Sequence, residues 1–239
     1  MLGAAFGSFI GAMVTRWPQG QSVHHGRSHC DGCGRTLGPT ELVPIASFLW
    51  QHGVCKSCGA PIDRIQPIAE IVAALIGLGS GMLLPGPTGI ATAILGWELL
   101  ALALIDLRAF WLPDRLTALL AATGLAVALA GIGPPLVDRL IGGLAGFGAL
   151  QAIRLGYRAL RGREGMGGGD PKIVGAIGLW IGWRLLPVLV VLACLIALGL
   201  LAFRQLTGRG VKSTDALPFG AFLAIAAYPC WIAMLMVGP

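Results

Sequence analysis

Eight apolar runs, separated by short connections that contain charged residues, glycine or proline, make up most of the sequence. They cover residues 1–14, 68–84, 88–105, 116–132, 136–153, 171–186, 187–203 and 218–238. Hydrophobic residues account for 56% of the chain and charged residues for only 12%, which is far more apolar than a soluble domain of this length requires. The pattern predicts an all-α polytopic membrane protein with about eight transmembrane helices, although several runs are shorter than the roughly 20 residues that span a bilayer.

Basic residues are concentrated in alternate connections. Four connections would share one side of the membrane: 16–67, 106–115, 154–172 and 204–217. Of the 17 lysines and arginines, only Arg139 and Arg184 lie outside these four. Cytoplasmic loops carry an excess of basic residues, so we expect the four connections to face the cytoplasm and the N-terminus to lie outside. The net charge of +6 thus indicates orientation in the membrane, and we expect no nucleic-acid partner.

The only long polar stretch, residues 16–67, contains two CxxC pairs, Cys30-x-x-Cys33 and Cys55-x-x-Cys58, with 21 residues between them. This is the spacing of a four-cysteine zinc site. The stretch is too small to fold on a core of its own, and a bound metal would supply the missing folding free energy. Two disulfides or four free thiols are the alternatives, but a cytoplasmic compartment disfavours disulfides. We therefore predict one structural zinc ion.

The remaining cysteines, the histidines and several tryptophans are given simpler interpretations. Cys194 and Cys230 lie alone in apolar runs and are expected to be buried small hydrophobic residues. Four histidines close to the cysteines are interpreted as solvated loop residues: His24, His25, His29 and His52. Tryptophans near the ends of segments are interpreted as interfacial anchors: Trp17, Trp111, Trp180 and Trp183.

Asp170 lies on a glycine-rich hinge, Gly167-Gly-Gly-Asp170-Pro-Lys172, where an apolar run begins. The glycines allow tight turns and close backbone approach, and Pro171 suits the first position of a helix. An aspartate at this place is also an ordinary helix N-cap, and capping is compatible with catalysis. For Lys172 two interpretations stay open, an influence on the protonation of Asp170 or a cytoplasmic anchor.

Asp106 ends another apolar run, where the helix dipole disfavours a carboxylate. Capping does not explain this position, so Asp106 is a candidate functional residue. An ion pair with Arg108 is the competing explanation. Asp114 directly precedes the next run and is interpreted as its N-cap.

Two carboxylates that meet in a restricted site do not both ionise easily, so one is protonated while the other acts as a base. This is the chemistry of an aspartyl protease, in which one carboxylate activates water and the other donates a proton to the scissile carbonyl. Asp106 and Asp170 are the predicted pair.

Taken together in their order along the chain, these motifs resemble the type IV prepilin peptidases. The resemblance rests on the following segments: Gly7-Ser-Phe9 with Arg16-Trp-Pro18, Ser28-His-Cys30 through Pro61-Ile62, Pro67-Ile-Ala-Glu70, Ile105-Asp106-Leu107 with Leu112-Pro113-Asp114, Gly167-Gly-Gly-Asp170-Pro-Lys172, and Pro218-Phe219-Gly220. The chain departs from the family's usual pattern at Gly11, where asparagine is common, and at Gln66, where tyrosine is common. GxGD alone is shared with the presenilin-like proteases.

The resemblance implies that Asp106 and Asp170 are catalytic, with Gly167, Gly169 and Lys172 as supporting residues. It implies that the enzyme lies in the bacterial inner membrane with its active site and zinc loop on the cytoplasmic side. The implied substrates are prepilins or type II secretion pseudopilins, cleaved after a glycine. The new N-terminus would then be methylated from S-adenosylmethionine, although no glycine-rich fingerprint shows which residues bind this donor.

The implied division of the chain has three parts: a first transmembrane segment (1–15), a cytoplasmic zinc-binding loop associated with methylation (16–67), and a seven-helix membrane domain with the protease site (68–239). Two other functions fit part of the pattern. One is a GxGD intramembrane protease with other substrates. The other is a non-catalytic zinc-ribbon assembly factor in which the aspartates only cap and pair.

Overall fold

A computed structural model describes residues 2–23, 28–208 and 216–237, and within them the chain is helical. The α-helices of the described residues are α1 (Leu2–Arg16), α2 (Ala46–Trp50), α3 (Ile65–Leu83), α4 (Pro87–Ala109), α5 (Asp114–Leu129), α6 (Leu136–Arg161), α7 (Asp170–Ile181), α8 (Leu186–Leu206) and α9 (Phe219–Val237). Two isolated bridges, His29 with Thr36 and Val54 with Pro61, are the extended pairings in this part of the chain.

Each of the eight apolar runs forms one helix, and only the short α2, among the α-helices of the described residues, lies outside these runs. Five helices are long and apolar enough to cross a membrane, namely α3, α4, α6, α8 and α9. The prediction of an all-helical, multi-pass membrane protein is confirmed at this level. The other three, α1, α5 and α7, have 15, 16 and 12 residues and are shorter than the roughly 20 that span a bilayer. The number of eight spans therefore stays a prediction.

The chain forms two compact units, an N-terminal unit (Met1–Ala101) and a C-terminal unit (Leu102–Pro239). In the N-terminal unit, α1 packs along α3 through small residues. A Cβ atom on Gly3 would lie 2.5 Å from the carbonyl oxygen of Ala73, and one on Gly7 would lie 2.5 Å from that of Ala69. Glycine is required at both positions because the two helix backbones approach so closely.

In the C-terminal unit, α7 packs against α5, α6 and α9. Ten of its twelve residues are buried. Glycines make the contact with α6 possible, since a Cβ on Gly142 would lie 2.7 Å from the carbonyl oxygen of Gly178. A short helix with neighbours on three sides is held in a fixed position, and its first residue is Asp170.

A buried arginine, Arg139, lies at the C-terminal end of α7, the end opposite Asp170. Arg139 is fully buried, and its guanidinium donates hydrogen bonds to the carbonyls of Gly124 (3.1 Å), Leu179 (3.2 Å), Pro134 (3.0 Å) and Ile132. The carbonyl of Leu179 belongs to the last turn of α7 and has no partner within its own helix. Arg139, one of the two basic residues outside the four basic connections, is thus a structural hydrogen-bond donor.

Two of the simpler interpretations are wrong. Trp180 is fully buried, donates a hydrogen bond from Nε1 to the carbonyl of Leu120 (2.7 Å) and packs edge-on against Trp231. It is a core residue because the tight packing of α7 turns it toward α5 and α9. Cys194 is exposed on the surface of α8, whereas Cys230 is buried as expected.

The contact between α6 and α7 gives a first prediction. Gly178→Ala places a methyl group against the backbone of Gly142, and overpacking of this kind costs roughly 1–3 kcal/mol. We expect a lower midpoint of thermal unfolding in detergent. Gly148→Ala is the matched control, because a Cβ at this position in α6 has open space around it. An unfolding midpoint for Gly178→Ala that equals or exceeds that of the control would contradict this packing.

Candidate active site and metal centre

Asp106 lies in the last turn of α4 and is only 5% exposed. Its Oδ2 accepts a hydrogen bond from the backbone N–H of Ala221 at 2.8 Å. Ala221 is the third residue of α9, where the N–H groups have no intrahelical partner and the helix dipole favours negative charge. The start of α9 therefore offsets the unfavourable position of this carboxylate at the end of α4.

Asp170 is the first residue of α7 and is 6% exposed. Its Oδ2 accepts a hydrogen bond from the backbone N–H of Gly167 at 3.1 Å, in the preceding loop. Gly169, and not Asp170, occupies the N-cap position of α7. The carboxylate of Asp170 thus turns back toward the glycine loop, and the simple N-cap interpretation does not describe it.

Leu112 links the surroundings of the two aspartates. A Cβ on Gly169, the residue before Asp170, would lie 2.8 Å from Cβ of Leu112. A Cβ on Gly220 would lie 2.6 Å from Cδ1 of the same leucine and 3.1 Å from Oδ2 of Asp106. The two carboxylates are also close enough for the charge of Asp106 to act on Asp170. The structure thus brings both residues into one buried neighbourhood, with glycine where larger side chains would intrude.

Arg154 was not singled out from the sequence as a site residue. Its guanidinium forms an ion pair with Glu164 at 3.2 Å and lies beside Gly168. Arg158 contacts the same glutamate at 3.1 Å. These contacts connect the end of α6 to the loop that carries Asp170. The signal in the sequence was weak, because arginines near a cytoplasmic helix end are expected for orientation alone.

Lys172 forms an ion pair with Asp114, with 2.6 Å between Nζ and Oδ1. Asp114 is the first residue of α5, and Pro113 occupies the N-cap position, so the N-cap interpretation of Asp114 is wrong. Both side chains are substantially exposed, and surface pairs of this kind contribute roughly 0–1 kcal/mol. The pair joins the start of α7 to the start of α5. A role of Lys172 in catalysis stays a prediction.

The four cysteines of the loop meet in space. The Sγ atoms of Cys30, Cys33, Cys55 and Cys58 all lie within 4.8 Å of one another, and those of Cys30 and Cys58 are 3.8 Å apart. A tetrahedral zinc ion with Zn–S bonds of about 2.3 Å requires sulfurs roughly 3.8 Å apart, so the cluster fits one metal ion.

Two matching turns shape the metal site. The N–H of Gly34 donates to the carbonyl of Cys30 at 2.8 Å, and the N–H of Gly59 donates to that of Cys55 at 2.9 Å. Both glycines have φ of 69°, a conformation that favours glycine. Backbone N–H groups of Cys58 and Ser57 lower the pKa of Cys55 to about 6, which favours the thiolate that binds metal.

The described histidines, His29 and His52, are exposed and lie outside the four-cysteine cluster. This agrees with their interpretation as solvated loop residues. His24 and His25 lie outside the described residues.

Gly11 and Gln66, the two departures from the family pattern, lie against each other. A Cβ on Gly11 would lie 2.5 Å from Oε1 of Gln66. The amide of Gln66 donates to the carbonyl of Ser8 at 3.0 Å and to Glu70 at 3.3 Å. The glutamine thus fills the space that a side chain at position 11 would take, and the two departures form one local arrangement between α1 and α3.

Fold and site together define a multi-pass helical membrane protein with a buried aspartate pair and a cluster of four cysteines that fits one metal ion. Residues 1–83 match the model of the Bacterial Peptidase A24 N-terminal domain, and residues 93–202 match that of the Type IV leader peptidase family. The chain therefore belongs to the type IV leader peptidase family, as the sequence motifs indicated.

Curated relatives named prepilin leader peptidase/N-methyltransferase support the same assignment, and three of them illustrate the similarity. The protein from Aeromonas hydrophila is 38% identical over 210 residues, which is 87% of this chain and 71% of that protein. The one from Burkholderia pseudomallei (strain K96243) is 39% identical over 203 residues, or 83% and 64% of the two chains. That from Pectobacterium carotovorum is 31% identical over 250 residues, or 94% and 88%. No solved structure matches the chain significantly.

The cysteine cluster gives a second prediction. Protein purified from cells should contain about one zinc ion per chain, and Cys55→Ser should lose it because one of four ligands is removed. Cys194→Ser is the control, since this cysteine lies on α8, outside the cluster. Elemental analysis of the three proteins measures the ratio. Equal zinc contents in the two variants would be incompatible with a four-cysteine site.

Proposed function

We propose that this chain is a membrane aspartyl endopeptidase that removes the basic leader from type IV prepilins or type II secretion pseudopilins after a glycine. We further propose that it N-methylates the new N-terminal residue. The observation that carries the proposal is the buried neighbourhood of Asp106 and Asp170, two carboxylates from distant parts of the chain. Membership in the type IV leader peptidase family and the names of the relatives supply the substrate class.

Peptide hydrolysis follows from the chemistry of the pair. One carboxylate, in its ionised form, takes a proton from water as the water oxygen attacks the scissile carbonyl carbon. The other, protonated, gives its proton to the carbonyl oxygen. When the C–N bond breaks, a proton passes to the leaving nitrogen, and the pair returns to its singly protonated state. Because the carboxylates interact, they titrate as a unit.

The surroundings of the pair support this chemistry in two ways. Each carboxylate accepts a backbone N–H, from Ala221 for Asp106 and from Gly167 for Asp170, which fixes its orientation. Gly169 and Gly220 let Leu112 pack directly against the backbone beside both carboxylates, which keeps the surroundings of the pair apolar. Gly167, Gly169 and Lys172 are the supporting residues in this proposal.

For the membrane arrangement, we propose eight spans with the N-terminus outside and the aspartates at the cytoplasmic side of the bacterial inner membrane. The distribution of basic residues supports this orientation. The ends of α4, α6 and α8 and the starts of α5, α7 and α9 would then lie on the cytoplasmic side. A leader in the cytoplasm would meet the two carboxylates there. In this arrangement, segments 1–15, 16–67 and 68–239 form the three parts of the protein.

Zinc and S-adenosylmethionine are the proposed cofactors. Cys30, Cys33, Cys55 and Cys58 would hold a structural zinc ion that supplies folding free energy to the loop. S-adenosylmethionine would supply the methyl group: its methyl carbon would bond to the free amine of the new N-terminus as the bond to the sulfonium sulfur breaks. The sulfur would leave as a neutral thioether, and the methylated amine would release a proton to solvent.

The aspartates give a third prediction. Asp106→Asn and Asp170→Asn should each lower leader removal by at least roughly a hundredfold, the usual loss when a general acid or base is removed. Asp138→Asn is the control, because this acid lies in the first turn of α6 and pairs with Arg184 and Trp183. The shift of a prepilin on a denaturing gel measures cleavage by purified protein. Near-normal cleavage by either active-site variant would remove that residue from the mechanism.

Substrate choice gives a fourth prediction and separates the alternatives. Purified protein should cleave a prepilin after its glycine and leave an unrelated signal-anchor protein intact. Comparable cleavage of both would favour a general GxGD intramembrane protease. A zinc-ribbon assembly factor predicts a different outcome, in which neither protein is cleaved and both Asn variants support pilus assembly in cells. Mass spectrometry of the products gives the cleavage position and shows whether a methyl group has been added.

A further inference from the structure

The N-terminal unit contains a partly enclosed cavity between α1, the cysteine loop (residues 16–67) and the start of α3. Its volume is about 170 Å³, and it is partly open to solvent. Ala12 lines it from α1, Gln51 from the loop and Glu70 from α3. Cys30 and Cys55 also line it, so the four-cysteine cluster contributes to one wall.

Gln51 is a buried polar side chain that lacks a partner. The residue is only 8% exposed and lines the cavity at the C-terminal end of α2. Its backbone N–H is bonded to the carbonyl of Ser47, but its side-chain amide makes no hydrogen bond within the described part of the chain. Buried amides are normally paired. Because it borders the cavity, the Gln51 amide is available to form hydrogen bonds with a polar ligand there.

The lining of the cavity is acidic, although the whole chain carries a net charge of +6. Four carboxylates line it, from Asp31, Glu41, Asp63 and Glu70. Among the described residues, Arg16 is the arginine in the lining, and Arg35, which lies outside the lining, pairs with Glu41 at 2.7 Å. Negative charge remains in excess, so a cationic ligand fits better than an anion. The excess of negative charge distinguishes the cavity from a site for phosphate or nucleic acid, which would be basic.

The cavity also offers an aromatic surface. Phe48 lines it in α2, three residues before Gln51, and lies against the turn at Gly53. An aromatic ring stacks favourably on a purine base, and the amide and carboxylates supply partners for ribose and amino groups. A cationic nucleoside therefore matches all three properties of the lining.

We propose that this cavity binds the methyl donor, a nucleoside that carries a sulfonium cation, with Gln51 as a hydrogen-bonding residue. This inference rests on the proposed N-methyltransferase function. It also gives the cysteine cluster a role in methylation, because the cluster shapes a wall of the donor site. The residues of the aspartate pair take no part in it.

Binding of tritiated S-adenosylmethionine to the full chain in detergent tests the site. Gln51→Leu keeps the size of the side chain and removes its hydrogen bonds, so we expect the Kd to rise about tenfold. Ala12→Leu narrows the cavity without removing a polar group and should weaken binding to a similar extent. Gln21→Leu, an exposed glutamine of the same unit outside the lining, is the matched control and should leave the Kd unchanged.

Zinc content and leader cleavage report whether each variant is folded, and both should be normal in all three. An azido derivative of S-adenosylmethionine gives an independent test on the unaltered chain. It should label peptides within residues 8–16 and 28–70 upon illumination. Labelling confined to residues 102–239, or unchanged affinity in folded Gln51→Leu and Ala12→Leu, would overturn the site.

The outcomes also separate this inference from the proposed function. If the unaltered protein methylates a cleaved pilin while the two cavity variants bind the donor normally, the methyltransferase function stands and the site is wrong. If the unaltered protein cleaves prepilin but neither binds nor transfers the methyl group, the methyltransferase function and the site are both wrong. Cleavage by Asp106 and Asp170 is unaffected by either result.

Discussion

The position of α7 is the constraint on which the C-terminal unit depends. This helix has twelve residues, of which ten are buried, and its backbone touches that of α6 through glycines such as Gly142 and Gly178. At one end Arg139 bonds the carbonyl of Leu179, and at the other the chain turns sharply at the glycine loop. A carboxylate at the first position of such a helix cannot move without disturbing the packing. Asp170 is therefore placed by the core of the unit.

Burial of two carboxylates is costly unless each accepts a hydrogen bond, and a backbone N–H donates one in each case. The end of α4 alone would be a poor place for Asp106, but the start of α9 lies against it and contributes the N–H of Ala221. Asp170 accepts its hydrogen bond from the N–H of Gly167, which lies two residues before Gly169, the N-cap of α7. Leu112 fills the space next to both sites and excludes water from their apolar side. Such surroundings strengthen the electrostatic coupling that an acid–base pair requires.

In the N-terminal unit, the polar loop has little hydrophobic core of its own and needs other contacts to hold its structure. Side chains of the helices form hydrogen bonds with the loop backbone. Glu70 of α3 accepts a hydrogen bond from the N–H of Ile45 at 2.7 Å, and Arg16 at the end of α1 donates one to the carbonyl of His29 at 3.4 Å. Between these anchors, the four sulfurs are arranged at the spacing of one tetrahedral ion. These anchors, together with the proposed zinc ion, would explain how a loop with so few buried residues can line a cavity.

The sequence alone determined the helical membrane class, the four-cysteine cluster and the family, because hydropathy, CxxC spacing and motif order are local properties of the chain. It also identified Asp106 and Asp170 as candidates, each from its place at the end of an apolar run. The tertiary structure alone decided how these residues are supported. The donor to Asp106 lies 115 positions away in α9, Lys172 pairs with Asp114 across 58 positions, and Arg139 and Trp180 are core residues. Contacts between distant segments depend on how helices pack, and no local pattern in the sequence records them.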